Sequence, residues 1–256
     1  MWDWLPSVVE LRGRGVPVAL VTVVRCAGST PTAAGARMAV LSDGSIRGTI
    51  GGGHLEQLVI ADALASLSSG EARMLRYPLG ATAGQCCGGV VEVFVEALNV
   101  GPSLYLFGVG HVGQAVCRAL LGTPFVVHAI DERDEWSSAV PDSVQRHRVA
   151  WDEFVAEASW SAERTYVAIM THRHDLDEAI VADVVARPTR YVGLIGSQTK
   201  WLRFRERLGA RGVTTAALDR VHCPIGLDIG GKSPQEVAVS VAAQLLAVHH
   251  GRPAGQ

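Results

Sequence analysis

The sequence predicts an α/β fold in two parts, a small mixed α/β domain over residues 1–98 and a doubly wound parallel sheet over residues 103–256. Three observations carry this expectation. After residue 103, apolar strand-like runs alternate with helical stretches, the pattern of a parallel sheet covered on both faces. Before residue 98, short strands follow one another with only two helices among them. Ala97-Leu98-Asn99-Val100-Gly101-Pro102-Ser103, between the two parts, is a turn-rich joint and the one clear break in composition.

The elements follow in order from apolar spacing and strand-forming runs. An amphipathic helix over about 2–14 precedes the strand Val18 to Val24. Short strands follow around Arg37 to Leu41 and Ser45 to Thr49, then a helix from about His54 to Ser68, and strands near 72–77 and 90–97. Past the joint, the strand Leu104 to Gly108 leads into a helix ending near Leu121, and Phe125 to Asp131 is the next strand. A short strand and helix occupy about 144–158, with a strand at Tyr166 to Met170 feeding a helix from about Leu176. Tyr191 to Ile195 feeds a helix from about Thr199, and the last helix runs from Pro234 to about His249 with Val237, Val241, Leu245 and Val248 on one face.

The chain has 256 residues, 48% hydrophobic and 19% charged, enough to bury a full core and too apolar to be mainly disordered. With a net charge of −2 and no stripe of lysine and arginine, it lacks the electrostatic footprint of a nucleic-acid binder. Its first residues lack the basic-then-apolar pattern of a secretory signal, and no stretch approaches ~18 uninterrupted apolar residues. A soluble cytoplasmic protein with no membrane partner is expected. Five irregularly spaced cysteines, Cys26, Cys86, Cys87, Cys117 and Cys223, argue against a disulfide framework and fit a reducing compartment.

The adjacent thiols Cys86 and Cys87 stand out, flanked by Ala83-Gly84-Gln85 and Gly88-Gly89. They are either two small buried apolar residues at a turn or soft sulfur ligands on a backbone that a bulky ligand can approach closely. Gly108-Val109-Gly110-His111-Val112-Gly113 follows an apolar strand and opens a helix, with Asp131 ending the next strand. The first glycine permits the tight turn, the second admits a pyrophosphate to the backbone amides, and the third lets helix and strand pack closely, so the second domain reads as Rossmann-like. Asp131 would accept from a ribose hydroxyl, while Arg133 softens any preference for NAD over NADP. His111 either faces a bound phosphate or stands idle in solvent.

Gly226-Leu227-Asp228-Ile229-Gly230-Gly231-Lys232-Ser233 matches the P-loop string letter for letter, but Pro224 precedes it, the sheet is expected to be complete by then, and Ser233-Pro234-Gln235-Glu236 reads as a capping box. Ser233 is therefore expected to cap a helix. Thr171 to Asp177 and Gly196 to Lys200 should lie at the carboxyl ends of their strands, where open parallel sheets collect ligands. This makes His172, Ser197 and Lys200 candidate binding residues. His172 and His174 would need a third ligand to hold a metal, and Lys200 offers either a point charge to a phosphate or a solvated helix start.

In the first domain, Gly28-Ser29-Thr30-Pro31, Gly35-Ala36-Arg37-Met38 and Gly48-Thr49-Ile50-Gly51-Gly52-Gly53-His54-Leu55-Glu56 place three glycine-rich turns close in sequence. They imply backbone crowding around a shared ligand or a packing need, and Gly51, Gly52 and Gly53 opening a helix would make an anion-binding N-terminus with Glu56 in its first turn. GSTP, GARM, GTIGGGHLE and GQCCGG in that order, then FGVGHVG, THRHDLD, YVGLIGSQTK and PIGLDIGGKSPQEVA, closely resemble the XdhC/CoxI family of accessory proteins for molybdenum hydroxylases such as xanthine dehydrogenase. The likeness covers about residues 10–250.

The resemblance implies a chaperone that binds molybdenum cofactor (molybdopterin), keeps it available for sulfuration by a cysteine desulfurase, and delivers it to an apo-hydroxylase. It points to Gln85, Cys86, Cys87 and the Gly51 to Glu56 segment for the cofactor site, the two cysteines touching metal only through the cofactor's molybdenum. The Rossmann edge, with Gly108, Gly110, His111, Gly113, Asp131, His172, Ser197 and Lys200, would hold the cofactor's phosphate, a nucleotide such as NAD(P), or nothing. Two departures from the family pattern remove positive charge: Thr32 stands where a basic residue commonly follows the proline of the GSxP turn, and Gln198 where arginine is frequent. An NAD(P)-dependent oxidoreductase is the alternative, though no acid or base for a hydride site is identifiable. A persulfide-carrying sulfur transferase and a vicinal-disulfide redox switch are further readings. A homodimer is plausible for an apolar chain that presents docking surfaces.

Overall fold

The computed structural model describes residues 3–14, 16–80, 88–133, 135, 139–253 and 255. Two compact units meet in sequence at Gly101 and Pro102. Unit one contains α1 (Trp4–Gly13), β1 (Val18–Ala27), β2 (Arg37–Leu41), β3 (Ile46–Gly48), α2 (Gly53–Ser69), β4 (Arg73–Pro78) and β5 (Val90–Leu98). Its five strands form one antiparallel sheet in the order β3-β2-β1-β5-β4.

Strand alternation explains both faces of this sheet. Ala19, Val21 and Val23 of β1 and Val91, Val93 and Val95 of β5 turn to one side, where they pack with Leu55, Val59, Ala63 and Leu67, spaced four apart along α2. Val18 and Ala39 turn the other way, onto Leu11 of α1. Gly70 closes α2 in a left-handed conformation, its amide donating to Ser66 O at 2.8 Å. The Asn99 side chain donates to Leu11 O and Val16 O, tying the end of α1 to the joint.

Unit two runs through β6 (Ser103–Phe107), α3 (His111–Ala119), β7 (Val126–Ile130), β8 (Gln145–His147), α4 (Trp151–Glu157), β9 (Ser161–Ile169) and α5 (His174–Val184). It continues with β10 (Thr189–Leu194), α6 (Gln198–Ala210), α7 (Thr215–Leu218), β11 (Val221–His222) and α8 (Pro234–His249). The strands make a six-stranded parallel sheet in the order β11-β10-β9-β6-β7-β8. Leu104 and Leu106 of β6 face the α3 and α8 layer, with Val116, Val241 and Leu245. Tyr105 and Phe107 face Phe154, Ile180 and Phe204 on α4, α5 and α6. Chain order reverses between β6 and β9, and the carboxyl ends of these two strands form the switch point of a Rossmann-like sheet.

Three differences from the sequence expectation have local causes. The sheet does not end at β10: β11 adds a sixth strand through Val192 and Val221, and two residues are too short to carry a period. Helix α7 is a single turn capped by Thr214, equally short for a 3.6-residue signal. Strand β9 starts at Ser161, but exposed Ala162 and Glu163 precede the buried run that begins at Thr165, so its opening residues carry no apolar run. The P-loop string is a connection between β11 and α8. Ser233 Oγ accepts from Glu236 N, Glu236 Oε2 accepts from Ser233 N at 3.0 Å, and Pro234 is the first helical residue. Among the described residues, no helix is long and apolar enough to cross a membrane.

His128 Nδ1 and His147 Nε2 lie 3.0 Å apart in stacked rings beneath Tyr105 and Phe154, a hydrogen bond that requires at least one neutral ring. Burial, and then the neighbouring His147, hold the His128 pKa at about 4, and burial lowers that of His147. In the unfolded chain both return to about 6.5. Below that value the unfolded chain binds protons that the folded pair refuses, so the stability present above pH 6.5 is lost as pH falls toward 4. Urea unfolding should therefore show lower stability at pH 5 than at pH 7, with a shallower decline in His128→Phe.

Candidate functional site

In unit one, the Gly28-Ser29-Thr30-Pro31 turn that follows β1 is clamped between two glycines from distant parts of the sequence. A Cβ on Gly51 would lie 2.8 Å from Pro31 O, and one on Gly89 would lie 2.3 Å from Ser29 O and 2.7 Å from Thr30 Cγ2. Real Cβ atoms do not approach so closely, so the three turns meet only because these positions carry no side chain. A Cβ on Gly52 or Gly88 would meet nothing within 4 Å among the described residues, which leaves their backbone approachable on that side. Leu79 N donates to Gly89 O at 2.8 Å, which closes the base of the connection between β4 and β5 beside the same turn. Gln85, Cys86 and Cys87 fall within that connection and lie outside the described residues.

Glu56 organises the turn before α2. Its Oε1 accepts from Thr49 Oγ1 at 2.5 Å, Ile50 N at 2.9 Å and Gly52 N at 3.0 Å, while Gly51 N donates to Thr49 Oγ1 at 3.2 Å. The expected anion-binding N-terminus thus has an internal carboxylate on part of its amide set. Gly51, Gly52 and Gly53 all adopt positive φ, the conformation that bends these amides toward Glu56.

In unit two, the expected loops do gather at the carboxyl edge. A Cβ on Gly108 would strike Met170 O at 2.5 Å, so the first turn lies against the end of β9, and a Cβ on Gly113 would strike Gly108 O at 2.3 Å. A Cβ on Gly110 would meet nothing within 4 Å among the described residues, and His111 is exposed at the start of α3. Asp131 is already satisfied within the chain: Oδ1 accepts from Arg133 N and Nε, and Oδ2 from Val109 N and Arg133 Nη2. These four bonds use the four acceptor positions of a carboxylate. Burial pushes its pKa up, but the Arg133 fork and the two backbone amides outweigh burial and hold it below the usual range. The cavity beside it, lined by Gly108, Asp131, Trp151, Thr171 and His172, measures about 40 Å³.

The other two loops are bolted together. Lys200 Nζ donates to Asp177 Oδ2 at 2.7 Å and to Ile195 O at 3.0 Å, and Asp177 Oδ1 accepts from Thr171 N and Oγ1. The Asp177 side chain is 1% exposed and that of Lys200 11%, so the lysine is neither solvated nor offered to a phosphate. Ser197 Oγ caps α6 by accepting from Lys200 N. His172 and His174 are exposed on the loop before and at the start of α5, and among the described residues no group of three His, Cys, Asp or Glu could hold a metal. Sequence reasoning missed Asp177, Thr171 and Thr49. Asp177 did leave a signal, since it precedes Ile180, Val181 and Val184 on the buried face of α5. Burial pushes the Cys117 thiol up to about 12 and the Cys223 thiol up to about 11, so neither is a thiolate donor at neutral pH.

The model of the XdhC Rossmann domain matches residues 104–245, more than half of the chain, and that of the XdhC and CoxI family matches residues 11–78. The chain belongs to the XdhC and CoxI family. The match to the first model spans Gly108 to Lys200, the second spans Gly28 to Glu56, and Cys86 and Cys87 lie between the two ranges. Among relatives, the uncharacterized protein YqeB of Escherichia coli K12 is 33% identical over 97% of this chain and 47% of its own length. A protein of Bacillus subtilis 168 described as a probable xanthine dehydrogenase subunit is 26% identical over 60% of this chain and 45% of its own. This XdhC/CoxI chain therefore spans about half the length of those two proteins. The molybdenum cofactor insertion chaperone PaoD of Escherichia coli K12 is 25% identical over 95% of this chain and 87% of its own. A crystal structure described as a xanthine dehydrogenase from Bacillus halodurans shares the fold, with a TM-score of 0.53 at 19% identity over 97% of this chain and 96% of that one.

Two substitutions test this geometry. Lys200→Met leaves the Asp177 carboxyl without its cation in an almost dry site and should cost about 3 kcal/mol in urea unfolding. Gly89→Ala forces a methyl group against Ser29 O and should cost about 2 kcal/mol, since the obstruction is backbone rather than a mobile side chain.

Proposed function

We propose that this chain is an accessory protein that carries molybdenum cofactor in unit one, supports its sulfuration, and hands it to a molybdenum hydroxylase of the xanthine dehydrogenase type. The observation that carries the reading is the junction of the Gly28 to Pro31, Gly51 to Gly53 and Gly88-Gly89 turns, from which the Gln85-Cys86-Cys87 run departs in sequence. Family membership and the name of the relative PaoD support it.

The junction suits this cargo chemically. Thiolates are soft donors appropriate to sulfur-rich molybdenum, which Cys86 and Cys87 would contact, and Gln85 would hydrogen-bond an oxo or pterin group. At Gly52 and Gly88, where an added Cβ would meet none of the described residues within 4 Å, the backbone would accept a flat heterocycle. In this reading the partners are an apo-hydroxylase and a cysteine desulfurase in the cytoplasm, and the chain itself turns nothing over. The nicotinamide-dependent alternative gains little from unit two, because Arg133 and Val109 N already occupy the carboxylate that would read a ribose.

The test is an anaerobic titration of wild type and the Cys86→Ala/Cys87→Ala variant with released molybdenum cofactor, following pterin fluorescence and molybdenum after desalting. Wild type should retain the cofactor, and the double variant should hold it on the order of tenfold more weakly or worse, with an unchanged circular dichroism spectrum. Absence of retention by wild type would overturn the proposal.

A further inference from the structure

We propose that Glu56 reads the N–H edge of the heterocycle held at the glycine junction, using Oε2 as the acceptor for an exocyclic amino group. The inference rests on the carrier reading for its ligand and adds the contact that would select it. The two oxygens of this carboxylate stand in opposite situations. Oε1 takes three donors, from Thr49 Oγ1, Ile50 N and Gly52 N, which fix both the position and the orientation of the group. Oε2 meets no donor among the described residues.

Glu56 is half-buried, and its Oε2 is left to water or to a ligand on a carboxylate whose orientation Oε1 has already fixed. The surroundings say which kind of ligand group fits. The amides of Ile50 and Gly52, which would otherwise bind a phosphate or oxo anion, are committed to Glu56 itself. This corner therefore accepts N–H donors and repels anions. Among the described residues a Cβ on Gly52 would meet nothing within 4 Å, so none of them closes the approach at this glycine.

A 2-amino-4-oxopyrimidine edge, as a pterin presents, carries an amino group and a ring N–H side by side. An N–H bond to a pre-oriented carboxylate oxygen is charge-assisted and gives more discrimination than a neutral acceptor. The same ring with a second oxo group in place of the amino group presents a carbonyl oxygen to Oε2 and is repelled. Glu56 would thus recognise the organic part of the cargo.

The experiment is a fluorescence titration of the full chain with 6-carboxypterin and with 6-carboxylumazine, its 2-oxo counterpart, in wild type and Glu56→Gln, alongside retention of released molybdenum cofactor. Glutamine keeps an oxygen for Thr49, Ile50 and Gly52 while replacing Oε2 with an NH₂ donor, so the turn should stay folded, which thermal unfolding checks. Wild type should prefer the pterin on the order of tenfold, and Glu56→Gln should lose that preference. Equal binding of the two heterocycles by wild type, no binding of either, or an unchanged preference in a folded Glu56→Gln would overturn the inference. Because the wild-type preference is read on its own, a variant that failed to fold would still leave the inference open to refutation. Retention of cofactor without pterin preference sinks the Glu56 role alone, whereas failure to retain cofactor sinks the carrier reading.

Discussion

Two turns can approach to backbone contact only where one of them lacks a side chain at the meeting point, and this constraint shapes both units. Gly51 and Gly89 let the Pro31 and Ser29 carbonyls come within reach in the first, as Gly108 and Gly113 let β6, β9 and α3 close on each other in the second. The glycines are spent on packing turn against turn. At Gly52, Gly88 and Gly110 an added Cβ would meet none of the described residues within 4 Å, so glycines packed tightly on one side of each turn stand beside others that leave backbone approachable.

The acids beside these turns divide the two edges by their state of satisfaction. Asp131 has four donors and Asp177 has a lysine and a threonine, all from within the chain. A ligand arriving at either must first displace an internal partner, and each bond to a charged group is worth ~1.5–3 kcal/mol. Those two carboxylates act as struts that hold the β6–α3, β9–α5 and β10–α6 loops in register. Glu56 is built differently, with one oxygen serving as a strut and the other left over. The same side-chain chemistry thus braces the Rossmann edge and leaves an acceptor at the glycine junction.

The sequence made the longer elements legible because an apolar strand followed by an apolar helix face repeats the same signal many times. Helix α8 was readable to its first residue, since Ser233, Pro234 and Glu236 are local capping chemistry, and that chemistry unmasked the P-loop string as a connection. Strand β11 and helix α7 were illegible for the opposite reason: each is fixed by a neighbour, β10 or the Thr214 cap, and neither is long enough to announce itself. At the candidate site, the crowding of glycine turns could be foreseen. The partners could not, because a lysine at a helix start gives no hint that an aspartate 23 residues earlier will bury it. Gln85, Cys86 and Cys87 are known from sequence alone, as they lie outside the described residues.

A carrier is subject to a limit that an enzyme holding a permanent cofactor is not, because whatever it binds it must also release. Every tenfold gain in affinity costs about 1.4 kcal/mol to undo, and most of it appears as a slower off-rate. A site that satisfied every polar atom of its cargo would hold it for too long to pass it on. On the carrier reading we propose, the junction in unit one would avoid this, because among the described residues it offers few fixed polar contacts: the free oxygen of Glu56 and glycine faces without side chains. Selectivity can then come from a single oriented acceptor, whose mismatch with the wrong heterocycle is repulsive, while the total hold stays modest. That separation of selectivity from affinity is what handing over a costly cargo requires.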